Sequence, residues 1–269
     1  MNDNYLIFFG FNKEPFGADI AMKDILKTDQ LVDAATRFDY VIRLGAAGLV
    51  TGEVGSGKST AIRYAEGNLH PSEYRSIYVT ASSGSIMELY RQLLNELDIY
   101  RSSNSKSTML RLIKKAITDL VMEKKMKVVI IIDEASLLRL EVFEELHTLC
   151  QFEKDSKPYL PMILAGQNHL VDKLSYRSSE PLASRIVARS HLQAIDLEGM
   201  KSYLQHHLKI AGVERNLFDP TALTAIHQGS GGLLRKANHL ARGALIAAAA
   251  DNKSMVVAEH VQLAASEIF

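Results

Sequence analysis

The sequence has no tryptophan, one cysteine, six prolines in 269 residues and no excess of either charge. The lone cysteine, Cys150, excludes an intramolecular disulfide and so excludes a disulfide-stapled scaffold. It reads as a small core hydrophobe at a helix end, and cysteine usage fits a reducing cytoplasm. Lys and Arg total 31, as do Asp and Glu. That balance argues against a monomer that coats nucleic acid through bulk charge, but it leaves room for a local basic stripe. No stretch approaches the ~20 apolar residues of a membrane-spanning helix, so no membrane partner is expected. "ALIAAAA" (244–250) lies between Arg242 and Asp251 and reads as a packed helix of a soluble domain. The apolar run Leu6 to Phe9 is short, follows Asp3 and has no basic segment before it, so a signal peptide is not expected.

A core, by contrast, is well supplied: 47% of the residues are apolar. The length suits one large domain or a medium domain with a small one. The first two-thirds alternates short apolar runs with helical patterns, which predicts a parallel α/β sheet. The expected strands are Ala47–Thr51, Ser76–Thr80, Lys127–Ile132, Pro161–Ala165 and Ile186–Leu192. "VVIII" (128–132) is a continuous β-branched and apolar run, the pattern of a central strand covered on both faces. Between strands, Ile86, Leu89, Tyr90, Leu93, Leu94 and Leu97 recur at helical spacing. So do Leu110, Ile113, Ile117, Leu120 and Val121. After about residue 196 strand patterns stop and four helical patterns follow, one opened by Asp219 and Pro220. The expected division is an α/β domain over 1–195 and a helical domain over 196–269.

"GEVGSGKS" (52–59) has the form G-x-x-x-x-G-K-[ST], set between a predicted strand and a predicted helix. Gly52, Gly55 and Gly57 allow backbone conformations closed to other residues, so successive N–H groups can turn toward one anion. The expected nucleotide contacts are Gly52, Glu53, Val54, Gly55, Ser56, Gly57, Lys58, Ser59 and Thr60. Lys58 brings a point charge to the β- and γ-phosphates of ATP, and the Ser59 hydroxyl is a Mg²⁺ ligand. "VVIIIDEA" supplies the complementary half. A carboxylate ending a buried strand is costly unless it meets a cation, so Asp133 is the second expected Mg²⁺ residue. Glu134 is then placed to orient and deprotonate water. Past another strand, the neutral amide of Gln167 is a candidate to polarise that water. Asn168 has the alternative of capping a helix.

"GEVGSGKST", "VVIIIDEA", "LAGQ", "PLASRIVAR" and "GSGGLLRKANHLARGAL", in that order, resemble an AAA+ ATPase over nearly the whole chain. The opening "FFGFNKEPF" resembles the ExeA/TniB/TnsC-like group, which includes secretion-pathway ATPases and the helper ATPases of DNA transposons. The resemblance implies a P-loop AAA+ sheet flanked by helices, followed by a small helical lid. It implies that Arg235 senses the γ-phosphate of its own subunit from the lid. It also implies that Arg185 acts as a finger that completes a neighbour's site; Arg189 is either a second contact of that kind or a structural ion-pair partner.

A further implication is self-assembly into a ring or helical filament on duplex DNA, recruitment of a transposase, and release on hydrolysis. In such relatives DNA contacts follow the second strand, so Arg91, Arg101, Lys106 and Lys114 are the candidates. Repetition along a filament multiplies a few phosphate contacts, so zero net charge is tolerable. No base-reading motif is visible, and little sequence specificity is expected. The alternative is a secretion or envelope-assembly ATPase. Larger members of that kind continue past the lid with a membrane span and a cell-wall-binding module; the sequence ends at Phe269, which favours the DNA reading. A nucleotide-gated scaffold without turnover is a third reading, and the presence of Glu134 argues against it.

Overall fold

The structure, a computed structural model, describes residues 4–100 and 105–268. Arg101 lies outside them. The chain divides into two compact units, one of Thr28–Gly52 and Lys58–Leu192, the other of Met1–Lys27, Glu53–Gly57 and Gln193–Phe269.

The chain order begins with helices α1 (Asn4–Phe9) and α2 (Asp29–Leu44), then strand β1 (Ala47–Gly52), α3 (Lys58–Gly67), β2 (Tyr74–Thr80), α4 (Ile86–Glu96) and α5 (Lys106–Met122). It continues through β3 (Lys127–Asp133), α6 (Leu140–Leu146), β4 (Met162–Gly166), α7 (His169–Leu174), α8 (Glu180–Ala183) and β5 (Ile186–Leu192). Four helices follow: α9 (Leu197–Ile210), α10 (Pro220–Ser230), α11 (Leu234–Ala250) and α12 (Ala258–Ile268).

The first unit is built on a parallel sheet in the order β2-β3-β4-β1-β5. β3 is an interior strand, between β2 and β4, and its run Val128–Ile132 is buried throughout, as its unbroken apolar pattern requires. On α4, Ile86, Leu89, Tyr90, Leu93 and Leu94 are buried. On α5 the buried stripe is Met109, Ile113 and Ile117, with Leu110, Leu120 and Val121 half-buried beside it. The order matters for function because β4 lies between β1 and β3. A crevice at such a reversal of strand order, beyond the carboxyl ends of the strands, is where open α/β sheets bind ligands.

The second unit is helical. Asp196 caps α9 by accepting from the Gly199 N–H at 2.8 Å, and Asp219 caps α10 by accepting from the Ala222 N–H at 2.7 Å. α10 stops at Ser230 on a left-handed Gly231. Its core includes Met200, Leu204, Leu208, Ile226, Leu240, Leu245 and Val261. The helical unit begins at Gln193 and also takes in the N-terminal residues, which pack with these helices. Tyr5, Phe9 and Phe16 are buried in the helical core. Phe16 stacks on His207 at 5.2 Å between ring centroids, and its carbonyl accepts from Arg242 Nη2 at 2.7 Å. Glu14 pairs with Arg242 at 3.1 Å, and His206 Nε2 meets the Asp24 carbonyl at 2.6 Å. Among the described residues no helix is long and apolar enough to cross a membrane.

Candidate nucleotide site

β1 delivers the chain into the glycine loop, and α3 begins at Lys58. Gly55 has φ +84° and Gly57 φ +100°, values that other residues adopt at a cost. The Gly55 carbonyl accepts from the Arg235 N–H at 3.2 Å, and a Cβ on Gly55 would lie 2.8 Å from the Arg235 Cβ. Arg235, exposed at the start of α11, therefore lies against the loop. Ser56 is buried, and its hydroxyl has no hydrogen-bond partner among the described residues. Glu53 and Val54 are exposed and Thr60 is half-buried. Lys58 is buried, and its ammonium donates to the Gly52 carbonyl at 3.0 Å.

Asp133, at the end of β3, is also buried. Its Oδ2 accepts from the Ser59 hydroxyl at 3.1 Å and from the Tyr78 hydroxyl at 2.5 Å. Its Oδ1 accepts from the Glu134 N–H at 2.8 Å. Burial, and next the bond to Asp133, push the Tyr78 phenol above its ordinary range. Glu134 adopts a left-handed backbone with φ 52°, an arrangement that costs on the order of 1 kcal/mol and must be held by its surroundings. Part of that support is Lys173 on α7, whose ammonium donates at 2.7 Å to the carbonyls of both Ser136 and Leu138. The Gly166 position packs on the same turn, since a Cβ there would lie 2.9 Å from Ser136 N. Gln167 follows β4, half-buried, with its carbonyl accepting from Leu170 N–H at 2.9 Å. Asn168 has a helical backbone and makes no capping bond.

These residues fit an anionic nucleotide and a hard cation. The buried Ser56 hydroxyl and the buried Lys58 ammonium are hydrogen-bond donors of the kind an anion accepts from. The Ser59–Asp133 pair offers oxygen ligands of the type Mg²⁺ takes, commonly one or two carboxylates completed by substrate phosphates. Among the described residues no group of three or more His, Cys, Asp or Glu side chains forms a metal cage.

The family model described as "AAA domain" matches residues 42–174, a span that contains the loop, Asp133, Glu134 and Gln167. Residues 42–174 are thus similar to an AAA domain. Across 268 residues it is 31% identical to the general secretion pathway protein A of Aeromonas hydrophila, covering 98% of this chain and 48% of that protein. It thus spans about half the length of that relative. Its fold, a parallel sheet flanked by helices with a helical C-terminal region, is that of the AAA+ P-loop ATPases. Cdc6p from Pyrobaculum aerophilum superimposes with a TM-score of 0.75 at 14% identity, over 94% of this chain and 70% of that one. The Aeropyrum pernix ORC1 protein, in a complex with DNA, gives 0.69 at 15% identity, over 100% and 71%.

Outside the loop and the two acidic residues, several of the candidate cations have partners within this chain. Arg185 was expected to project toward a neighbour. Within this chain its guanidinium meets Asp155 Oδ2 at 2.6 Å, and that contact holds the Asp155 carboxyl below its usual range. Asp155 is presented by three consecutive left-handed residues, Glu153, Lys154 and Asp155, in a turn closed by a bridge between Phe152 and Lys157. Arg189 is exposed on the edge strand β5, and its side chain has no ion-pair partner among the described residues; its carbonyl accepts from Arg37. Of the DNA candidates, Arg91 pairs with Glu88 at 3.0 Å and Lys106 with Glu145 at 2.9 Å. Lys114 donates to the Gln151 carbonyl at 2.7 Å and lies over the Phe152 ring; burial lowers its pKa. These three cations are engaged within the chain. Cys150 is a half-buried free thiol, raised to about 11 by burial.

Sequence reasoning missed Tyr78, Lys173 and Asp155. The parallel register Tyr78↔Ile131 and Thr80↔Asp133 puts Tyr78 on the face of Asp133, a signal visible only once strand pairing is known. Lys173 has no signal beyond its place on the helix after Gln167.

Proposed function

We propose that this domain is a Mg²⁺-dependent ATP hydrolase whose nucleotide cycle controls self-assembly on duplex DNA and recruitment of a transposase in the cytoplasm. The observation that carries the hydrolase reading is the meeting of Ser59 with Asp133 at 3.1 Å, with Glu134 next in the chain. The backbone from Gly52 to Gly57 receives the phosphates. Lys58 exchanges the Gly52 carbonyl for phosphate oxygens, and Thr60 follows Ser59 at the start of α3. Ser59 and Asp133 would hold Mg²⁺, which supplies positive charge to the β- and γ-phosphate oxygens. Glu134 orients the attacking water and accepts its proton, while Gln167 polarises the same water. Water adds at the γ-phosphorus and the bond to the β-phosphate oxygen breaks, yielding ADP and phosphate.

Arg235 reports the loss of the γ-phosphate to α11. Arg185 reaches a neighbouring subunit's phosphate only after leaving Asp155, so an isolated subunit turns over slowly. Fingers of this kind contribute about 10³- to 10⁵-fold in related phosphoryl-transfer systems. DNA contact falls to the residues after β2, including Arg91, Arg101, Lys106 and Lys114. At least three of these exchange an internal partner for phosphate, which keeps single-subunit affinity low and makes assembly the step that generates avidity.

The similarity to a general secretion pathway protein over 98% of this chain favours a second reading, a secretion or envelope-assembly ATPase. ATP turnover measured with and without duplex DNA at two salt concentrations separates the two. Stimulation that fades as salt rises is expected for the DNA reading. Turnover indifferent to DNA at both salts sinks it and leaves the secretion reading.

A further inference from the structure

We propose that Tyr78 is a positioning residue for the cation site, acting through Asp133. The proposal rests on the reading of Ser59 and Asp133 as the Mg²⁺ pair. Tyr78 is on the edge strand β2, paired with Ile131, two residues before Asp133 on β3. Residues two apart on a strand share a face, so the phenol reaches diagonally across the ladder to Asp133 Oδ2 at 2.5 Å.

The terminal torsion of an aspartate is broad and roughly two-fold. A carboxylate held by one donor can therefore turn. Here three donors hold it: Ser59 and Tyr78 on Oδ2, and the Glu134 N–H on Oδ1. Two bonds occupy the lone pairs of Oδ2, and the third fixes the plane of the group. The consequence falls on Ser59. A hydroxyl has one proton and two lone pairs. By donating its proton to a fixed Oδ2, Ser59 keeps both lone pairs for a cation. Without the Tyr78 hydroxyl the carboxylate loses one of the two donors on that oxygen, and the Ser59 proton is no longer held in one direction.

The Tyr78 side chain has no core role that would explain its hydroxyl. The residue is 37% exposed, whereas its neighbours Ile77 and Val79 are buried. Partners that orient metal-binding carboxylates in this way typically contribute about 10- to 100-fold in metal affinity or activity.

Tyr78→Phe removes the hydroxyl and keeps the ring. Binding of a fluorescent ATP analogue to the full chain is followed while Mg²⁺ is titrated, and again in excess chelator. The expected result is a Mg²⁺ half-saturation raised about tenfold, with unchanged affinity in chelator and a melting temperature lowered only as far as the loss of one hydrogen bond requires. A Mg²⁺ half-saturation within twofold of wild type overturns the proposal, as does an equal loss of affinity with and without Mg²⁺. Ser59→Ala and Asp133→Asn are run in parallel. If they raise the half-saturation and Tyr78→Phe does not, only the role of Tyr78 fails. If neither raises it, the cation pair itself is misassigned and the proposal falls with it.

Discussion

Replacing Gly55 by alanine should separate the conformational and steric demands of the phosphate loop. At φ +84° an alanine bears the left-handed penalty of roughly 1–2 kcal/mol. Its methyl would also lie 2.8 Å from the Arg235 Cβ and 3.5 Å from the Arg235 N. Carbon atoms pack best at about 3.5–4.0 Å, so one side must retreat. The first casualty is the 3.2 Å bond from the Arg235 N–H to the Gly55 carbonyl, with a net contribution of about 1 kcal/mol. The sum is roughly 2–3 kcal/mol. Gly231→Ala is the control, because φ is +60° and nothing lies within 4 Å of its added methyl; it should cost only the conformational part. Thermal unfolding of the purified chain gives the two destabilisations, and titration with a fluorescent ATP analogue gives the affinities. Gly55→Ala should destabilise about twice as much as the control and weaken nucleotide binding at least tenfold, whereas Gly231→Ala should bind normally. Equal destabilisation by both, with normal binding by Gly55→Ala, would refute the reasoning.

Lys58→Ala should abolish nucleotide binding, read by the same titration, because no other buried ammonium faces the Gly52 carbonyl among the described residues. His207, between Phe16 and Tyr203 and near His206 and Lys13, is lowered to about 4, mainly by burial. Its ordinary pKa is about 6.5, so the unfolded chain binds the extra proton as pH falls from about 6.5 to 4; roughly 3 kcal/mol of stability present above that window is lost across it. His207→Phe should flatten that part of a stability–pH curve measured by denaturant unfolding, and an unchanged slope would contradict the assignment. Asp155→Asn should release Arg185 and lower the protein concentration that gives half-maximal ATP turnover, whereas Arg185→Ala should abolish turnover; a higher half-maximal concentration for Asp155→Asn would show that Asp155 presents the arginine rather than retaining it.

The strands were legible because their information is local. "VVIII" needs cover on both faces wherever it sits, and β3 is buried accordingly. Asp219 and Pro220 open α10 because a side-chain acceptor and a missing N–H suit a helix start in any context. The left-handed turns at Gly55 and Gly57 are legible for the same reason: the glycine pattern that demands them lies within eight consecutive residues. What was not legible depends on partners distant in sequence. The N-terminal segment joins the helical unit through Phe16 on His207 and Glu14 on Arg242, pairs more than 190 residues apart. Nothing in "EKD" marks three left-handed residues, since none is glycine or asparagine, so the acidic partner of Arg185 went unseen. Likewise, Arg91 and Lys106 read as free surface charge until Glu88 and Glu145 are placed beside them.

The claim on which the rest depends is that Glu134 activates water beside a phosphate-binding loop. Glu134→Gln keeps the shape of the side chain and removes its capacity as a base. Steady-state phosphate release, measured beside nucleotide affinity, is the most direct test. The account predicts that Glu134→Gln binds ATP as tightly as wild type and releases almost no phosphate. Phosphate release at the wild-type rate would contradict it.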